Sequence, residues 1–106
     1  MDLDLDNVAV THNEEARRFE ASVGELRALI TYRLSPDRIT FLHAEVPLPL
    51  EGQGLAAKLA KTALEFARAN HLEVLPLCPY VASYVRKHRE YHDLVPSDYL
   101  KRILSS

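Results

Sequence analysis

The run Glu45-Val46-Pro47-Leu48-Pro49-Leu50-Glu51-Gly52-Gln53-Gly54-Leu55-Ala56 constrains the fold more than any other part of this chain. An apolar segment leads into it and a long amphipathic segment leaves it. Before it, Arg38 to Val46 predicts a strand, with Ile39 and Phe41 on one face and Leu42, Ala44 and Val46 on the other. Apolar residues on both faces predict a central strand covered on each side. After it, Leu55 to Asn70 predicts a helix with Leu55, Ala56, Leu59, Ala60, Ala63, Leu64 and Ala67 on its apolar side. Lys58, Lys61, Glu65 and Arg68 fall on its wet side. The turn between the two holds two of the chain's three glycines. The first N–H groups of a helix lack intrahelical partners and lie at the positive end of its dipole, so they attract phosphate. Glycines let the backbone come close to that phosphate. The stretch therefore predicts a diphosphate-bearing ligand, with a purely connecting loop as the plainer reading.

The flanking sequence supplies the rest of a small sheet. Val8 and Val10 suggest a short strand into Thr11 and His12. Phe19, Ala21 and Val23 alternate with Arg18, Glu20 and Ser22, and Leu26, Ala28, Ile30 and Tyr32 continue the alternation after a hairpin turn at Gly24-Glu25. The helix formers between Glu14 and Glu20 leave a helical reading of residues 13–30 open, although the period-two pattern favours strands. Ser35-Pro36-Asp37 is a second turn. Asn70-His71 is a plausible helix stop. Val74-Leu75-Pro76-Leu77 reads as a short strand that belongs at an edge or bulge, because Pro76 has no N–H to donate. Pro79 opens a second helix to about His88, and Ser97 could cap a last helix over 98–104. Strand 38–46, helix 55–70 and strand 73–77 form a βαβ unit, so the sheet is mixed and its ligand is expected at the strand C-termini.

One domain fits 106 residues, residues 8–106, preceded by a loose tail over 1–7. A net charge of −2 gives no electrostatic argument for nucleic acid or an anionic membrane, and no apolar run approaches the roughly 20 residues of a membrane span. The acidic start, Asp2, Asp4 and Asp6, lacks the pattern of a signal peptide, which makes cytoplasm the default expectation. The single cysteine, Cys78, excludes an internal disulfide framework. A monomer or weak homodimer is expected. No Gly-Lys-Ser/Thr follows the glycine turn, so it is not a P-loop. It also lacks the third glycine of a dinucleotide fingerprint.

The chain resembles the GNAT acyltransferase superfamily, and more closely its small single-domain N-acetyltransferase domain-containing proteins. The superfamily motif reads Val-x-Pro-x-x-Arg-Gly-x-Gly-x-Gly/Ala before a helix. Val46, Gly52, Gly54 and Ala56 occupy the matching positions. His43-Ala44-Glu45-Val46-Pro47 matches the small group's His-x-Glu-Val-Pro, and Leu77-Cys78-Pro79-Tyr80-Val81 matches its cysteine after the next strand. The resemblance covers about residues 8–95. It implies an α/β, GNAT-like, mainly antiparallel sheet with two to three helices. It also implies an acetyl-CoA-dependent N-acetyltransferase acting on an unidentified amine. The alternative is a CoA-binding or interaction module with little catalysis.

On that resemblance, backbone N–H groups around Glu51, Gly52, Gln53, Gly54, Leu55, Ala56 and Ala57 would hold the pyrophosphate of coenzyme A. Val46, Pro47 and Leu48 would pair with its pantetheine arm at a splay between the two parallel strands. Glu51 departs from the usual arginine or glutamine, and a carboxylate beside a diphosphate is unfavourable. Lys58, in the first helical turns, would compensate. Cys78 is either a small core residue or a thiol beside the thioester, since a helix N-terminus lowers a thiol's pKa. His43 and Glu45 share a strand face, and either could deprotonate the attacking amine. Tyr80 and Tyr84 are packing residues or, by resemblance, an acid for the CoA thiolate. His88 and His92 are four apart, but Glu90 is wrongly placed for His-Glu-x-x-His zinc chemistry, so they read as solvated residues.

Overall fold

A computed structural model of the protein describes residues 4–105. Five strands form one sheet in sequence order: β1 (Val10–Asn13), β2 (Arg18–Val23), β3 (Leu26–Ser35), β4 (Arg38–Glu45) and β5 (Glu73–Pro76). β1 to β4 are antiparallel, and β5 runs parallel to β4 across helix α1 (Leu55–Ala69). Helices α2 (Pro79–Lys87) and α3 (Ser97–Leu104) follow. The mixed, mainly antiparallel sheet and its βαβ unit are therefore present. Ser97 is the first residue of α3 instead of its cap, which is Pro96.

Residues 18–35 fold as a hairpin because their alternation suits one buried face. Phe19 stands opposite Ile30 and Ala21 opposite Ala28, and all four are buried. The helix formers 14–17 make only the tight turn before β2, with Arg17 in the left-handed region at φ 56°. Tertiary burial of a whole row outweighs their weak local preference.

β4 departs from its sequence pattern. Thr31 pairs with His43, but Tyr32 pairs with Phe41, so Leu42 is an extra residue in the ladder. Such a bulge moves the following residues to the opposite face. Ala44 and Val46 thus join Ile39 and Phe41 on the inner row, while Leu42 is turned outward and 41 % exposed. The expectation of a strand covered on both faces is corrected by the same shift. The apolar residues are concentrated on one row, and that row packs against α1 and α2 in a single core. The outer face carries Glu20, Arg27, Arg33, His43 and Glu45, and the ion pair of Arg38 with Glu73.

α1 buries Leu55, Leu59, Ala60, Ala63, Leu64 and Ala67, the stripe its spacing predicts. It ends at Asn70, and His71 adopts φ 55° just beyond. Residues 4–7, expected to be loose, form a short turn instead. The Asp4 side chain accepts bonds from the Asp6 N–H and from Asn7 Nδ2. The Lys58 ammonium donates to the carbonyls of Leu5 and Val8, and Leu5 packs against the core. The first three residues of that expected tail lie outside the described residues.

Candidate functional site

β4 and β5 pair only from Arg38 opposite Glu73 to Phe41 opposite Pro76. β4 then runs on to Glu45 with β3 as its only strand neighbour. Pro76 offers no N–H to prolong the ladder. The Cys78 N–H makes the last link, to the Phe41 carbonyl at 3.0 Å. The two strands part there, which leaves backbone donors and acceptors of β4 facing an opening.

A cavity of about 410 Å³ lies against that opening. Ala44 and Val46 wall it from the end of β4, Gly52, Gly54, Leu55, Ala56 and Ala57 from the start of α1, and Tyr80 from the first turn of α2. Leu50 and Glu51 complete the wall. Gly52 and Gly54 have φ of 76° and 84°, values that an L side chain resists, so these glycines shape the turn. Among the described residues no side chain caps α1, and its first turn holds no acidic residue. Its leading N–H groups therefore remain available to an anion beside the cavity.

The expected binding residues divide into two sets. Val46, Glu51, Gly52, Gly54, Leu55, Ala56 and Ala57 line the cavity. Pro47, Leu48, Gln53 and Lys58 do not. Pro47 precedes a 3₁₀ turn over Leu48–Leu50 that swings Leu48 into solvent, 80 % exposed, and buries Leu50 in its place. Gln53 Nε2 donates to the Pro49 carbonyl at 3.0 Å. Lys58 is engaged by the N-terminal carbonyls, so its charge does not offset Glu51 in the cavity wall.

The candidate catalytic residues divide more sharply. Cys78 sits at the N-cap of α2, only 2 % exposed and outside the cavity lining. His43 and Glu45 are exposed on the outer face, because they alternate with Ala44, which faces the cavity. Tyr84 lines a second hollow with Lys58, Lys61 and Glu65, and its ring stacks on His88 at 3.9 Å. Tyr80, one turn earlier, is the tyrosine that reaches the cavity. Burial raises the Tyr80 pKa above its ordinary value, and the neighbouring Cys78 thiol adds to the rise. Its hydroxyl therefore holds its proton more tightly than an ordinary tyrosine does. Of the tyrosines at 80 and 84, Tyr80 is distinguished by its place in the first turn after Pro79, a signal present in the sequence. Ala44 had no such signal, since only the bulge turns it inward. His88 Nδ1 and His92 Nε2 donate to the carbonyls of Tyr84 and Val85, at 2.7 and 2.9 Å.

A mostly antiparallel sheet whose one parallel strand pair parts beside a glycine turn and an uncapped helix defines a mixed α/β fold with its opening at the start of α1. The family model for GCN5-related N-acetyl-transferases matches residues 18–94, and the chain belongs to that family. It is 33 % identical over 84 residues to Protein NATD1 of mouse and of chicken, 76 % of this chain and 76 % of each relative. Human Protein NATD1 is also 33 % identical, with 74 % of its length covered. Among solved structures, a GCN5-like protein from Staphylococcus aureus superposes with a TM-score of 0.68. The two are 31 % identical, and the match covers 85 % of this chain and 89 % of the other.

Proposed function

We propose that the protein is an acetyl-CoA-dependent N-acetyltransferase that moves acetyl to an amine. The observation that carries this reading is the cavity joining the free edge of β4 to the uncapped start of α1. The α1 N–H groups are suited to a diphosphate, and the β4 edge to an extended amide-bearing arm. The mainly apolar wall of Ala44, Val46, Leu50 and Ala56 excludes water from the thioester. Acetyl-CoA supplies an activated carbonyl carbon that the amine nitrogen attacks while the C–S bond breaks. Tyr80 donates its proton to the departing sulfur. The amine's own proton passes to water, since His43 and Glu45 stand on the outer face, away from the cavity. Cys78, buried behind Tyr80, holds the start of α2 through its bond to Phe41.

Calorimetry with CoA and acetyl-CoA, followed by transfer assays over a panel of amines, tests the reading. Binding with turnover supports it, and absence of CoA binding sinks it. Tyr80→Phe should slow transfer without weakening CoA binding. Cys78→Ala should leave the rate unchanged; a collapse of the rate at constant CoA affinity would return the thiol to the chemistry.

Glu51 favours a second reading, a CoA-binding module with little catalysis. Its carboxylate stands in the cavity wall with Lys58 engaged elsewhere. Tight CoA binding without turnover on any amine distinguishes that module from the enzyme.

A further inference from the structure

A further cavity, of about 450 Å³, lies at the end of β5, between α2 and α3. Its walls include Pro76 and Leu77 from the end of β5, Ser83 and Arg86 from α2, and Tyr99 and Arg102 from α3. Pro76 is the last residue of the β4–β5 ladder, so this cavity begins where β5 stops pairing with β4. Tyr99 fixes α3 here by donating its hydroxyl to the Pro76 carbonyl at 3.2 Å.

Arg86 is the unusual element. Its guanidinium is half-buried, and its only polar partner among the described residues is the Ser83 hydroxyl, at a long 3.4 Å. No carboxylate pairs with it among the described residues. The chain's other half-buried arginines, Arg18 and Arg38, are each bound to a glutamate. A half-buried guanidinium lacking a carboxylate invites an anion, and Arg102 lines the same cavity. The planar fork of arginine is suited to two oxygens of a carboxylate or phosphate.

We propose that this cavity seats the carboxylate or phosphate of the acceptor, so that the preferred substrates are amines bearing an acidic group. The anion held by Arg86 directs the amine toward the opening, where the thioester is expected. The assignment of the anion to an acceptor rests on the acetyltransferase reading; the anion site itself does not.

The test has two arms on the whole chain. The first follows backbone and side-chain NMR signals while inorganic phosphate, and separately glutamate, is titrated in. Saturable shifts at Ser83, Arg86 and Tyr99 are expected, absent in Arg86→Gln and weakened in Arg86→Lys. The second arm compares acetyl transfer to acidic amines and to neutral amines of similar size. Arg86→Gln should raise KM for the acidic amines about tenfold, the usual effect of losing a hydrogen bond to a charged group. It should leave kcat and the neutral amines unchanged. Unperturbed dispersion in the Arg86→Gln spectrum checks the fold. No saturable shifts in the wild-type cavity would overturn the anion site, whatever the transfer assay gives. Shifts combined with indifference of transfer to the acidic group would overturn the acceptor role. Intact shifts with no transfer to any amine would support the anion site while sinking the acetyltransferase reading.

Discussion

The two ends of α1 are built on opposite plans. At its C-terminal half, Phe66 meets a closed aromatic cluster: His12 stacks on Phe19 at 4.2 Å, and Phe66 lies edge-on to His12 at 4.5 Å. His12 Nε2 and the Tyr32 hydroxyl share a hydrogen bond of 2.5 Å, with Glu14 4.0 Å from Nδ1. Arg68 pairs with Asp93, and Asn70 bonds back to the Phe66 carbonyl. The N-terminal end lacks such closure. Its cap is a left-handed glycine with no side-chain bond, its first turn is mostly alanine, and a cavity adjoins it. Side-chain contacts hold the helix at one end, where a hollow of about 320 Å³ is walled by His12, Tyr32 and Phe66, and backbone groups are left uncapped at the other. Function is expected where polar backbone groups are left without partners, because satisfying them there stabilises a ligand instead of the fold.

Substitutions at the two ends should therefore separate stability from binding. Phe19→Ala, at the closed end, should cost about 3–5 kcal/mol, read from denaturant midpoints, with CoA affinity unchanged in the molecules that stay folded. Gly54→Val, at the open end, should cost about 1–3 kcal/mol from its left-handed backbone. A Cβ there would also lie 3.1 Å from Leu5 Cδ1. Unlike Phe19→Ala, it should abolish measurable CoA binding. If the two variants lose binding in proportion to stability, the division between the ends is wrong.

Glu51→Arg should tighten CoA binding by roughly tenfold, or about 1.4 kcal/mol, by replacing a repelled charge with a paired one. Unchanged or weaker binding in calorimetry would place the diphosphate away from the glycine turn. The closed end should also respond to acid. Burial holds the His12 pKa below its ordinary value, against a smaller opposing pull from Glu14. The folded state therefore favours the neutral ring. Its contribution is fully present above the unfolded pKa and is lost as pH falls through the lower, folded one. Denaturant midpoints should decline as pH drops below about 6.5, and His12→Phe should flatten that decline. The smallest effect is expected for His43→Gln, whose side chain stands on the outer face. Its transfer rate and pH profile should match the wild type, and loss of a limb from that profile would identify His43 as the base.

Much of this arrangement is legible in the residues. The alternation of Phe19, Ala21, Ala28 and Ile30 needs only its own period to give two strands with one buried row. The spacing of Leu55, Leu59 and Ala63 gives the helix. Gly52 and Gly54 mark the turn because positive φ is a local property of the backbone. These features depend on neighbours within a few positions, so the elements, their order and the glycine turn before α1 follow from local pattern.

Other features arise between distant segments. The extra residue at Leu42 is defined by its mismatch with β3, and it decides that Ala44 faces the cavity while His43 faces away. Lys58 reads as a cation near the phosphate loop until the N-terminal turn supplies two carbonyls 50 or more positions away in sequence. The parting of β4 from β5 and the cavity shared by Arg86 of α2 and Arg102 of α3 likewise exist only after packing. Local periodicity fixes where a side chain can point. Tertiary structure alone decided what it meets there, because registers and cavities are set by the whole core at once.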